Sequence, residues 1–78
     1  MNFLKEMVKK YHEKKLLEAK EKLNSHTENK DQLERQLKTI DDEQLYEVKK
    51  KIEKQKEFIA IWNKNISSID KQLKKLKS

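Results

Sequence analysis

The 78 residues include no cysteine, no proline and no glycine. The missing cysteine excludes disulfides and thiolate metal sites and leaves the redox compartment open. The missing glycine and proline leave nothing in the composition to break a helix, and no glycine-rich loop to cradle a phosphate. Long apolar runs are also missing. The longest, Phe58-Ile59-Ala60-Ile61-Trp62, falls far short of the roughly 20 residues a membrane helix needs. No apolar core followed by a small-residue cleavage site opens the chain. A secretory signal is therefore not expected, and a cytoplasmic location is. Arginine is nearly absent, because every basic residue except Arg35 is lysine. Lys, Asn, Ile and Glu are what an AT-rich genome supplies, so the net charge of +6 is by itself weak support for nucleic-acid binding. Arginine would be stronger, since its planar fork grips phosphates and guanine edges at two points.

What is present is charge: 44% of residues are charged against 33% apolar, a balance that also describes disordered chains. Placement argues for order. From Leu45 to Leu76 the core-type positions are Leu45, Val48, Ile52, Gln55, Ile59, Trp62, Ile66, Ile69, Leu73 and Leu76. Their spacing alternates between three and four, the seam of a heptad repeat, and Gln55 is its one polar member. The pattern predicts one long amphipathic helix over about 42–77.

The first half supplies a partner. A helix over about 2–38 carries a second seam at Leu16, Ala19, Leu23, His26, Lys30, Leu33, Leu37 and Ile40. Upstream, Phe3, Leu4, Met7, Val8 and Tyr11 make a broad apolar face, with Lys5, Lys9, Lys10, Lys14 and Lys15 on the other. The phase slips after Tyr11, which a four-residue stutter would absorb. The weak link is Asn24–Asp31, whose residues prefer caps and turns; Ser25 with Glu28 and Asn29 with Gln32 fit capping boxes. The heptad phase survives the crossing, which favours a continuous helix over a break into three. A further capping box, Asp41 with Gln44, opens the second helix, with Ile40 and Leu45 as its hydrophobic staple. The turn is expected at 39–41.

The two arms are nearly equal, and folding one on the other explains the seam. Facing residues in an antiparallel pair have numbers of nearly constant sum. That places Leu37 by Leu45, Leu33 by Val48, Lys30 by Ile52, Leu23 by Ile59, Leu16 by Ile66, Val8 by Leu73 and Leu4 by Leu76. Two further matches are informative. The polar residues His26 and Gln55 meet each other, and the smallest seam residue, Ala19, meets the largest, Trp62. The fold class is thus all-α: an antiparallel two-helix coiled-coil hairpin, one domain over 1–78, expected to dimerise into a four-helix bundle because so small a unit buries little by itself. Acid-then-base pairs four apart, Glu6–Lys10, Glu18–Lys22, Glu34–Lys38, Glu47–Lys51 and Asp70–Lys74, would support the helices locally.

Chemistry is poorly represented. His12 and His26 have no cysteine or matching carboxylate spacing for a metal, and Ser67 and Ser68 have no base beside them in sequence. No catalytic residue, metal site or cofactor is expected, and an enzyme is not. Apolar residues outside the seam carry more. Phe3, Met7, Leu17, Phe58 and Ile61 would stay largely exposed in a lone hairpin. They suit either self-association or docking of another protein, with Phe58 and Trp62 as anchors. Charge is uneven as well: the open end of the hairpin sums to +7 over residues 1–15 and 64–78, whereas residues 28–47 around the turn sum to −4. Lys9, Lys10, Lys14, Lys15, Lys71, Lys74 and Lys75 are the candidates for phosphate contact. A basic amphipathic membrane helix is disfavoured, because these lysines flank a seam already used for pairing.

The architecture resembles the small plasmid Rop-type hairpins, which dimerise into a four-helix bundle and bind RNA. The resemblance is one of shape, with no shared motif, and implies nucleic-acid binding as an alternative. The first expectation is a bacterial or phage accessory protein that binds and modulates another protein. A structural scaffold oligomer is the third reading. The Ala19–Trp62 match is open to test: Ala19→Leu should overpack that layer and cost about 1–3 kcal/mol in chemical denaturation, and unchanged stability would refute the register.

Overall fold

Two uninterrupted helices account for nearly the whole chain. The computed structural model describes residues 2–77, with side chains described for 3–76. Helix α1 runs Asn2–Gln36 and helix α2 Asp42–Lys77, 35 and 36 residues long. They lie side by side in a rod of 63 × 14 × 13 Å. A single straight helix of 78 residues would measure about 115 Å, so the chain is doubled back on itself. The fold is an all-α helical hairpin.

Helix α1 passes through Asn24–Asp31 without a break. Polar side chains in this stretch are tied to their own helix. Thr27 Oγ1 donates to the Leu23 carbonyl one turn back at 2.8 Å, and Asn24 Nδ2 donates to Glu28 Oε1 at 3.4 Å. Held this way, they do not divert the backbone into a cap or turn.

The helix ends at Gln36, two residues before the expected boundary, because the chain tightens there. Lys38 N–H bonds to the Arg35 carbonyl at 3.2 Å and Thr39 N–H to the Gln36 carbonyl at 3.0 Å, the i to i+3 pattern of a 3₁₀ turn. No described residue has positive φ, which is how a glycine-free chain achieves the reversal. The Asp41–Gln44 capping box does not form. Gln44 N–H bonds to the Asp41 backbone carbonyl at 3.0 Å, and among the described residues neither side chain bonds to the helix start. Both side chains are exposed, so water can satisfy the free N–H groups instead.

Burial follows the heptad. Every seam position from Leu16 to Ile40 and from Leu45 to Leu76 is buried or half-buried. Among the described residues, Ala19, Val48 and Ile52 are the buried apolar ones. The register is fixed by the polar layer: His26 Nδ1–H donates to Gln55 Oε1 at 2.7 Å. Ala19 and Trp62, whose numbers share the same sum, border one groove between the helices. Lys30 stays half-buried at its seam position while its ammonium leaves to meet Glu34 at 2.7 Å. That hydrogen bond raises the Lys30 pKa and lowers that of Glu34.

Two expectations are corrected. Ion pairs among the described residues include Lys15–Glu18, Lys30–Glu34 and Glu53–Lys56, at 3.8, 2.7 and 3.3 Å, and none of the five anticipated pairs is among these. Exposed pairs of about 0.2–1 kcal/mol are too weak to hold long side chains to one rotamer. Burial also thins at the open end. Leu4 is 72% exposed and Val8 44%, less covered than expected of partners for Leu76 and Leu73, which are half-buried. A stutter would have to unwind the supercoil locally. Without one, the seam carried back from Leu16 in steps of four and three falls on half-buried His12, then on exposed Lys9 and Lys5.

The polar layer sets register at a cost in stability, which gives a test. Replacing His26 and Gln55 together by leucine should leave stability unchanged or raise the melting temperature. Gln55→Leu alone removes the acceptor for His26 and should cost about 1–3 kcal/mol. Equal effects of the single and double variants would show that the pair is not coupled.

Candidate functional site

With one seam and one turn, most other side chains are exposed, and function has to be sought there. Of the six apolar candidates, Phe3, Met7, Leu17 and Ile61 are 72, 53, 59 and 58% exposed. Trp62 is half-buried at its seam position. Phe58 is half-buried too, contrary to the exposure expected of it, because its ring stacks on His26 with centroids 4.7 Å apart and planes at 22°.

The six do not form one stripe. Phe3 and Met7 share a shallow concavity with Glu6 and Lys10 at the start of α1. Leu17 lies ten residues beyond Met7, about 15 Å along the helix. Leu17 and Ile61 are instead within a turn of the Ala19–Trp62 layer at mid-rod. The surface thus divides into a terminal apolar face and a central set. Leu4 and Val8, placed on the pairing side by the sequence, join the terminal face at 72 and 44% exposure, and Tyr11, 53% exposed, lines the groove between the helices.

Sequence reasoning missed Tyr46. It is 73% exposed near the acidic turn, with the Lys50 ammonium 5.9 Å from its ring centroid. Its place immediately after the seam residue Leu45 was the available signal. The seven candidate phosphate lysines, Lys9, Lys10, Lys14, Lys15, Lys71, Lys74 and Lys75, are all exposed and gather at the open end from both helices. Lys15 is engaged locally, 5.6 Å from the Tyr11 ring centroid and 3.8 Å from Glu18.

A groove of about 400 Å³ runs between the helices beside Trp62, larger than expected of a hairpin. His12 and Ser68 both line it, so a base and a hydroxyl distant in sequence share one wall. Among the described residues no hydrogen bond joins them. Both sit inside regular helix, whose backbone N–H groups are already bonded and cannot form an oxyanion hole. The described residues hold no group of three His, Asp or Glu suited to a metal, and no helix long and apolar enough to cross a membrane.

No protein-family model, no curated protein and no solved structure matches the chain.

The division of the surface predicts an asymmetry in stability. Leu4→Ser and Val8→Ser should each shift the unfolding free energy by no more than about 0.5 kcal/mol, as for ordinary surface positions. Ile59→Ser, at a half-buried seam position, should cost clearly more. Equal losses in a denaturant titration would place the start of α1 back in the seam.

Proposed function

We propose that this hairpin is a non-catalytic protein-interaction module, a bacterial or phage accessory protein that binds and modulates another protein. One observation carries the reading: the seam positions from Leu16 to Ile40 and from Leu45 to Leu76 are already buried or half-buried within the chain, yet apolar side chains such as Leu17 and Ile61 remain more than half exposed. The amount of surface supports it. The chain exposes 6660 Å², whereas a compact monomer of its 9.5 kDa would expose about 5,000 Å². The excess, about 1,600 Å², is about twice the area that a standard protein interface buries on one partner, about 800 Å². Leu17, Ile61 and the half-buried aromatic pair Phe58 and Trp62 provide anchors at mid-rod. A second hairpin seated there would complete a four-helix bundle, and a foreign helix would use the same side chains.

A second reading has its own observation. The seven lysines at the open end are exposed and come from both helices, as a phosphate-binding end would need. Arginines and interleaved stacking aromatics do not accompany them, which places nucleic acid behind protein as the partner.

Leu17→Asp combined with Ile61→Asp leaves the seam untouched and should convert the chain to a monomer in sedimentation and abolish capture of its partner from host extract. An unchanged oligomer and an unchanged set of captured proteins would leave the central set without a role. Retention on RNA or duplex DNA that falls steeply between low and moderate salt would favour the second reading.

A further inference from the structure

The start of α1 carries a face that neither the seam nor the mid-rod set uses. Phe3, Leu4, Met7, Val8 and Tyr11 are 72, 72, 53, 44 and 53% exposed. At 100° per residue they fall within an arc of about 140°, a width usual for a helix face that is buried against something. Tyr11, last of these along the chain, also borders the groove between the helices, whereas Phe3, Leu4, Met7 and Val8, nearer the start, do not line it.

We propose that this face seats on an anionic phospholipid surface, with the first four turns of α1 lying in the headgroup layer. Charge distinguishes this occupant from a protein. Residues 1–15 hold five lysines and two glutamates, and the open end as a whole sums to +7 against −4 near the turn. Lys10, Lys14 and Lys15 border or continue the apolar arc and are exposed. Lysine is depleted from the cores of protein interfaces, where its ammonium must be desolvated. At a lipid surface it is favoured, because the stem lies along the acyl boundary while the ammonium stays among phosphates. Aromatic and aliphatic side chains on one face with lysines on its border is the composition of an interfacial helix. The charge gradient along the rod turns the open end toward a negative surface and the acidic turn away from it. The mid-rod set then remains available to a partner, so this inference does not depend on the protein-docking reading.

The test is co-sedimentation of the full chain with vesicles of phosphatidylcholine alone or mixed with phosphatidylserine. Binding is expected to the mixed vesicles and to be much weaker to phosphatidylcholine alone. Phe3→Ser with Met7→Ser keeps the charge and alters only exposed residues. It should lower the partition coefficient on mixed vesicles by about tenfold or more while far-ultraviolet circular dichroism stays unchanged. Three results would overturn the proposal: no binding to mixed vesicles, binding unaffected by the double serine variant, or binding to RNA in place of vesicles. Loss of vesicle binding with intact partner capture would separate this face from the mid-rod set.

Discussion

Everything in this molecule is held by a single line of side chains. Two helices touch along one seam, so each seam residue has neighbours on one side and water close on the other. Among the described residues just three apolar side chains are buried, and two of them, Val48 and Ile52, lie in the half nearer the turn. The polar layer of His26 and Gln55 matters more here than it would in a larger core. A hairpin with one apolar line could slide by a heptad at modest loss. Sliding would strand a hydrogen-bonding imidazole and amide opposite leucines or isoleucines.

Much of this was legible because a heptad repeat is long-range information written locally. Eighteen positions chosen by spacing, from Leu16 to Ile40 and Leu45 to Leu76, all turn out shielded from water. Matching the two polar seam residues and the smallest with the largest located the register before any coordinates. The open end was not legible for a physical reason. Phe3, Leu4, Met7, Val8 and Tyr11 have the composition and spacing of a core face, and spacing cannot say whether a helix will rewind to bring such a face inward. The surface was the least legible of all. Ion pairs between exposed lysines and glutamates are chosen by rotamer preference among near-equal options. The division of Phe3 and Met7 from Leu17 and Ile61 depends on distance along a rod, not on residue type. Phe58 was misplaced because its contact is with His26, a residue read for its polarity and not for the flat ring it also presents.

The lack of glycine and cysteine removes phosphate-cradling loops and thiol chemistry from what the chain can do. A surface made of helix sides has its backbone groups bonded internally, so recognition must come from side chains alone. Apolar residues at mid-rod and at the start of α1, and lysines at the open end, are the groups available for it. They lie at different places along the rod and suit different chemistries.

The short turn at Leu37–Asp41 has a kinetic consequence. Seam positions beside it, such as half-buried Leu37 and Leu45, are close in sequence, and each further layer toward the termini adds only a small increment of loop closure. Assembly can therefore start at the bend and travel outward like a zip, with the His26–Gln55 layer arresting any strand that has started out of step. Such a chain has low contact order and belongs among rapid folders. It can emerge, close and be ready to bind with no slow proline or disulfide step to wait for.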